Sequence, residues 1–147
     1  MVQPCSISDR DQVVDTMIAV THLSNLHRTI IAGDGAMELY LSLRRRGFVQ
    51  VATTATCRVP RKQHGIGLLT AKKSMAAFDS TLLEISQFLG ANATIAILIE
   101  SREGGFCLGI RRRLEQMGFR IEAGVRCQRG LVLAAHREGY AQMERAA

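Results

Sequence analysis

Two hydrophobic patterns alternate along the chain. Short runs of consecutive apolar, often β-branched residues occur at Thr29 to Gly33, Phe48 to Thr53, Ile66 to Thr70 and Ala93 to Glu100, and each predicts a buried strand. Between them, apolar residues recur at helical spacing. Val13, Val14, Met17, Ile18, Val20 and Leu23 predict a helix from Asp9 to Leu23, capped by Ser8 and with acids in its first turn. Met37, Tyr40, Leu41 and Leu43 predict a second, from Ala36 to Arg46, that Gly47 stops. Met75, Phe78, Leu82, Leu83, Ile85 and Phe88 predict a third, capped by Ser74, reaching Leu89 and ended by Gly90 to Asn92. Gly104 and Gly105 open a fourth, from Phe106 to Met117, and Gly118 closes it.

The last two strands, Phe119 to Arg126 and Gly130 to His136, flank Cys127 to Gly130 at the spacing of an antiparallel hairpin. The tail from Arg137 reads as a frayed helix. Strands and helices that alternate in this way predict one α/β domain over residues 1–147, a three-layer sandwich. Its sheet is mostly parallel and ends in an antiparallel hairpin. The nearly continuous apolar run from Ala93 places that strand at the centre, since only a strand covered on both faces loses its polar alternation.

Composition changes this picture little. Apolar residues make up 47% and charged residues 22% of the 147 positions, ordinary values for a globular domain. The apolar runs are far shorter than the roughly 20 residues of a membrane-spanning helix. With no basic head and apolar stretch at the start, a cytoplasmic location is expected. Cys5, Cys57, Cys107 and Cys127 include no closely spaced pair, so no metal site is expected and the thiols read as small apolar residues. Cys57 lies in a basic stretch that favours its thiolate, although nothing in sequence sets a base beside it. His22, His27, His64 and His136 read as structural, at the surface or half-buried.

The candidate chemistry begins at Gly33-Asp34-Gly35, where a strand turns directly into a helix. Backbone N–H groups at such a turn face outward at the positive end of the helix dipole, and ligands of open α/β sheets bind there, outside the carboxyl ends of the strands. The helix that follows ends in Arg44, Arg45 and Arg46, where cations complement the dipole. The net charge of +6 permits an anionic ligand or a nucleic-acid partner. Candidate anion-binding residues are Arg58, Arg61 and Lys62, from the polar connection Thr54 to Gly65, and Lys72 and Lys73, which precede a helix start against the preference of its dipole.

The closing order of helix, Gly118-Phe119, strand, short turn and strand resembles the class I methyltransferases that use S-adenosylmethionine. The resemblance implies a Rossmann-like fold and a methyl-donor site. Gly33 and Gly35 match two of the spaced glycines in the family's first motif; its acidic position falls on Ile31 and its third glycine on Met37, with Asp34 and Glu38 as displaced acids. The family's ribose-binding carboxylate, at the end of the second strand, falls on Thr53 and Thr54. The position of its catalytic motif falls on Leu69 to Ser74, where no Asp-Pro-Pro-Tyr sequence stands. The resemblance thus implies cofactor binding by Gly33, Asp34, Gly35, Thr53 and Thr54.

Against the family the chain is shorter by one β-α unit, which Thr54 to Gly65 replaces. That deletion would uncover the edge strand near Phe48 to Thr53 and offers a surface for a homodimer. The first functional reading is a degenerate, non-catalytic module of this fold, used for binding or assembly. The alternatives are a methyltransferase that binds S-adenosylmethionine and a nucleotide- or nucleic-acid-binding protein with a basic rim.

Overall fold

The computed structural model describes residues 5–58, 60–71, 74–101 and 103–137. Its elements are α1 (Cys5–Thr21), β1 (Thr29–Gly33), α2 (Ala36–Arg45), β2 (Val51–Thr53), β3 (His64–Ala71), α3 (Met75–Ser86), β4 (Leu89–Ile99), α4 (Gly104–Gln116), β5 (Phe119–Cys127) and β6 (Gly130–Arg137). The six strands form one sheet in the order β2-β1-β3-β4-β6-β5. β2, β1, β3 and β4 are mutually parallel, and the β5–β6 hairpin joins β4 antiparallel through β6. This is the predicted mostly parallel α/β sandwich with an antiparallel end.

The pleat of the sheet builds the layers. Side chains of β4 alternate: Ile95, Ile97 and Ile99 enter one core with Phe78, Leu82 and Ile85 of α3 and Phe106, Ile110 and Leu114 of α4. Ala96 and Leu98 enter the other, with Val13, Val14 and Met17 of α1 and Leu43 of α2. β4 is therefore covered on both faces, which explains its unbroken apolar run. Arg113 Nε lies 2.9 Å from Asp79 Oδ1 and joins α4 to α3. Arg46 donates to Asp11 and Asp15 and joins the end of α2 to α1, while Arg44 donates to the Val49 carbonyl at 3.2 Å. Two of the three arginines that end α2 thus fasten the fold.

Several boundaries differ from the sequence reading, each for a reason of pairing. α1 begins at Cys5, so Ser8 lies inside the helix rather than before its first turn. Leu89 to Asn92 belong to β4 rather than to a helix end, because His64 pairs with Leu89 and draws the chain into the sheet across an irregularity in register. β2 holds only three residues, since its pairing with β1 starts at Thr29 opposite Val51. Ser74 caps α3 as expected, accepting from the Ala77 N–H at 3.2 Å. β2 is an edge strand, as the missing unit implies, and its shortness itself limits pairing with another chain. The expected helix after Arg137 lies outside the described residues.

The turn after β1 is set by two glycines with different tasks. Gly33 has φ +94° and stands opposite Thr70 of β3; a Cβ there would lie 2.8 Å from the Thr70 carbonyl oxygen. Gly35 has φ +75° and begins α2, but a Cβ there would meet open space. The first glycine permits close approach of two strands, and the second permits only a left-handed backbone.

The connection from β2 to β3 must return across the sheet, because both strands are parallel and β3 is entered at its amino end. The Lys62 N–H donates to the Gln87 carbonyl at 3.1 Å and the His64 N–H to the Phe88 carbonyl at 2.9 Å, fixing the end of this loop beside the start of β4. His64 is only 2% exposed, where the sequence reading had it at the surface or half-buried. Burial holds its imidazole below the ordinary value of 6.5, a hydrogen bond with the Phe88 carbonyl opposes this, and the Arg28 charge adds to it.

Two outcomes are expected. Gly33→Ala combines a left-handed backbone with a clash and should cost about 2–4 kcal/mol, whereas Gly35→Asn should cost less than about 1 kcal/mol; urea midpoints at unchanged m-value check this. A folded His64 whose pKa lies below 6.5 binds fewer protons than the unfolded chain. Its contribution to stability is then complete above pH 6.5 and lost as the pH falls from there through the lowered value. Melting temperatures of the wild type and His64→Gln, compared between about pH 8 and pH 5, should diverge in their pH slopes through this term.

Candidate functional site

The chain leaves β1 for β2 on one side and then crosses to β3 on the other. The order of the sheet therefore reverses between β1 and β3, and a crevice opens at their carboxyl ends. A cavity of about 400 Å³ occupies this position, within the usual size of small-molecule sites. Asp34 and Gly35 come from the turn after β1, Thr70 from β3, and Leu98 and Glu100 from the end of β4. α1 supplies Asp11, Val13, Val14 and Met17, and α2 supplies Glu38, Leu39, Leu41, Ser42 and Arg45. Val14, Met17 and Leu98 are core residues, so the cavity has an apolar base and a charged mouth.

The hairpin closes the far side. β6 is antiparallel to β4, so its first residues lie beside the last of β4, with Ile99 opposite Leu131. Gly130 makes this approach so close that a Cβ there would sit 2.1 Å from the Ile99 carbonyl oxygen. The preceding residue, Arg129, then reaches into the cavity lining and lies 3.6 Å from Glu100 Oε1. Charged lining residues are Asp11, Asp34, Glu38 and Glu100 against Arg45 and Arg129, an excess of carboxylates in a basic protein.

The predicted site residues separate into groups. Gly33, Asp34 and Gly35 form the turn under the cavity, as the strand-turn-helix pattern implies. Thr53 and Thr54 do not line it. β2 ends at Thr53, opposite Ile31, two positions before Gly33. Thr53 Oγ1 bonds Thr56 Oγ1 at 3.0 Å, and Thr54 Oγ1 donates to Glu84 Oε1 at 2.8 Å, so both hydroxyls serve the loop.

Arg61 and Lys62 lie in the last part of the returning loop, at the amino end of β3 and thus at the opposite end of the sheet from Gly33. Arg58 follows Cys57, whose thiol lies beside His64 at that same end. The direction of β3 thus separates these three candidate anion-binding residues from the carboxyl ends of the strands, where the cavity lies. Lys72 and Lys73 lie outside the described residues.

Asp11 and Arg129 line the cavity without having been singled out in the sequence, and Arg45, read there as a complement to the helix dipole, lines it too. Arg129 was open to deduction, because an antiparallel strand beside β4 must begin where β4 ends. Asp11 and Arg45 carried no such signal, since their place depends on how α1 packs against α2. Among the described residues no group of three or more His, Cys, Asp or Glu side chains is placed to share a metal ion. The described helices include none long and apolar enough to cross a membrane.

No known protein-family profile matches the chain, and no curated protein matches it in sequence. Solved structures do match. The 1,6-didemethyltoxoflavin-N1-methyltransferase of Burkholderia thailandensis, whose structure holds S-adenosylhomocysteine, is 13% identical, with a TM-score of 0.56 over 93% of this chain and 91% of that one. Precorrin-6y C5,15-methyltransferase of Geobacter metallireducens is 11% identical, with a TM-score of 0.58 over 85% of this chain and 87% of that one. An S-adenosylmethionine-dependent O-methyltransferase of Thermotoga maritima is 12% identical, with a TM-score of 0.56 over 93% of this chain and 66% of that one. With the sheet order, the closing hairpin and the cavity at the reversal of the sheet, these likenesses show that the chain has a class I methyltransferase-like, Rossmann-like fold.

Proposed function

We propose that this domain binds S-adenosylmethionine in the cavity above Gly33, Asp34 and Gly35. The observation that carries the reading is the lining of that cavity, with four carboxylates and two guanidiniums around an apolar base at the point where the sheet order reverses. S-adenosylmethionine carries a positive sulfonium, a zwitterionic amino-acid end and an adenosine. The carboxylates of the mouth, of which Asp11 also accepts from Arg46 and Glu100 lies beside Arg129, favour the cation, and Arg129 and Arg45 are the groups present for a carboxylate. The apolar surface of Val14, Met17 and Leu98 suits the uncharged parts. Gly35, with open space at its Cβ position, leaves room for a ligand over the turn.

When bound, the cofactor supplies a methyl group activated by the positive sulfur. This chain's residues supply binding and orientation. Asp34 and Glu38 stand at the start of α2, and Glu100 with Arg129 stands across the cavity. No histidine or cysteine lines the cavity among the described residues, so the proposal is one of donor binding, with no acid or base assigned to transfer. The same excess of carboxylates disfavours phosphate groups in this cavity.

Calorimetric titration tests this. S-adenosylmethionine and S-adenosylhomocysteine should each bind saturably, one per chain. Glu38→Gln or Asp34→Asn should weaken S-adenosylmethionine by about three- to tenfold, equivalent to about 0.6–1.4 kcal/mol. S-adenosylhomocysteine, whose sulfur is neutral, should lose less. Absence of binding to folded protein removes the donor reading, and preferential binding of pyrophosphate would replace it with an anion site.

A further inference from the structure

At the amino end of β3, away from the cavity, the returning loop sets Cys57 against His64. The Cys57 Sγ lies 3.7 Å from His64 Nε2, and His64 Nδ1 lies 3.2 Å from the Phe88 carbonyl oxygen. A carbonyl oxygen only accepts, so the contact requires that Nδ1 carry the hydrogen and donate it. In the neutral ring, Nε2 then presents its lone pair to the thiol. The imidazole cannot easily turn away, because it is buried and meets the Phe88 ring edge-on, with centroids 6.0 Å apart. A nucleophile, a base and a third group that orients the base are thus in line. Cys57 itself is partly exposed, as are Cys107 and Cys127.

The surroundings select a partner. Arg58 follows the thiol directly, and Arg61 and Lys62 occupy the same loop, all three exposed. Arg28 is also near, its charge acting on His64 and its Nη1 3.5 Å from Gln63 Oε1. Such charges attract an anionic reagent. The other described cysteines are placed differently. Cys127 Sγ donates to Thr16 Oγ1 at 3.5 Å, and Cys107, which like Cys57 packs against the core, is carried by α4.

We propose that Cys57 is a modification site, a thiol that His64 activates for exchange with small anionic disulfides. In the reaction, the Cys57 proton passes to His64 Nε2 and the thiolate attacks one sulfur of the incoming disulfide. A new sulfur–sulfur bond forms to Cys57, the old one breaks, and the second sulfur leaves as a thiolate. Cys57 is oxidised to the mixed disulfide while half of the reagent is reduced, and no other oxidant is needed. Burial holds the imidazole in its neutral form and also opposes the imidazolium, so His64 takes the proton only as the sulfur attacks.

Alkylation of the whole chain by neutral iodoacetamide, with each cysteine followed by peptide mass spectrometry, tests activation. Native Cys57 should react about tenfold or more faster than Cys107, Cys127 and the same cysteine in the guanidinium-unfolded chain. His64→Gln should bring the rate down to that of the unfolded chain, and Cys57→Ser should remove the fast phase. A native rate equal to or below the unfolded one overturns the proposal, whether or not the His64 variant folds. The dianionic disulfide 5,5′-dithiobis(2-nitrobenzoate) tests the partner. Its reaction with Cys57 should slow several-fold between low and high salt, while iodoacetamide is unaffected; an unchanged rate overturns the assignment to anionic disulfides.

Discussion

The parallel pairing of β1 with β3 is the constraint on which the rest of this molecule depends. Gly33 stands against Thr70 so closely that only hydrogen fits in place of a side chain. The approach keeps the two strands in register up to their carboxyl ends, while the chain beyond β1 turns away into α2. The order of the sheet reverses at this pair, and neither helix layer can fill the space directly above it. The cavity is a consequence of that topology before it is a consequence of any side chain.

What the cavity is suited to hold depends on charge rather than on shape. The protein is basic overall, yet its cavity is lined mainly by carboxylates, two of them on the turn and first helix residues after β1. The basic loop has gone elsewhere. Since β3 runs parallel to β2, the connection must travel back the length of the sheet, and its cations end beside the start of β4. One geometrical rule thus carries the described cations of this loop to the end of the sheet opposite the cavity. It also brings Cys57, seven residues before His64 in the chain, against the buried imidazole.

Much of the fold was legible because each layer leaves a periodic trace. β4 shows an unbroken apolar run, since α3 and α4 cover one face and α1 and α2 the other. The hairpin is marked by its short turn, and α3 by Ser74. The strand ends were less legible. Leu89 to Asn92 carry the glycine and asparagine of a helix stop, yet pairing with His64 draws them into the sheet, an influence from residues 25 positions away that no local pattern contains. β2 is shorter than its apolar run because β1 offers it only three partners.

For the site, the sequence by itself determined the turn at Gly33, Asp34 and Gly35 and the presence of a hairpin at the end of the sheet. Both are local features, written in residues that adjoin one another. Tertiary structure decided which charges meet. It brought Asp11 from α1, Arg45 from α2 and Arg129 from the hairpin to one cavity, engaged Thr53 and Thr54 with Thr56 and Glu84, and carried Arg61 and Lys62 to the far end. The physical reason is that strand direction and helix packing, which arise only when distant segments bury their apolar faces together, determine the end of the sheet at which each loop emerges.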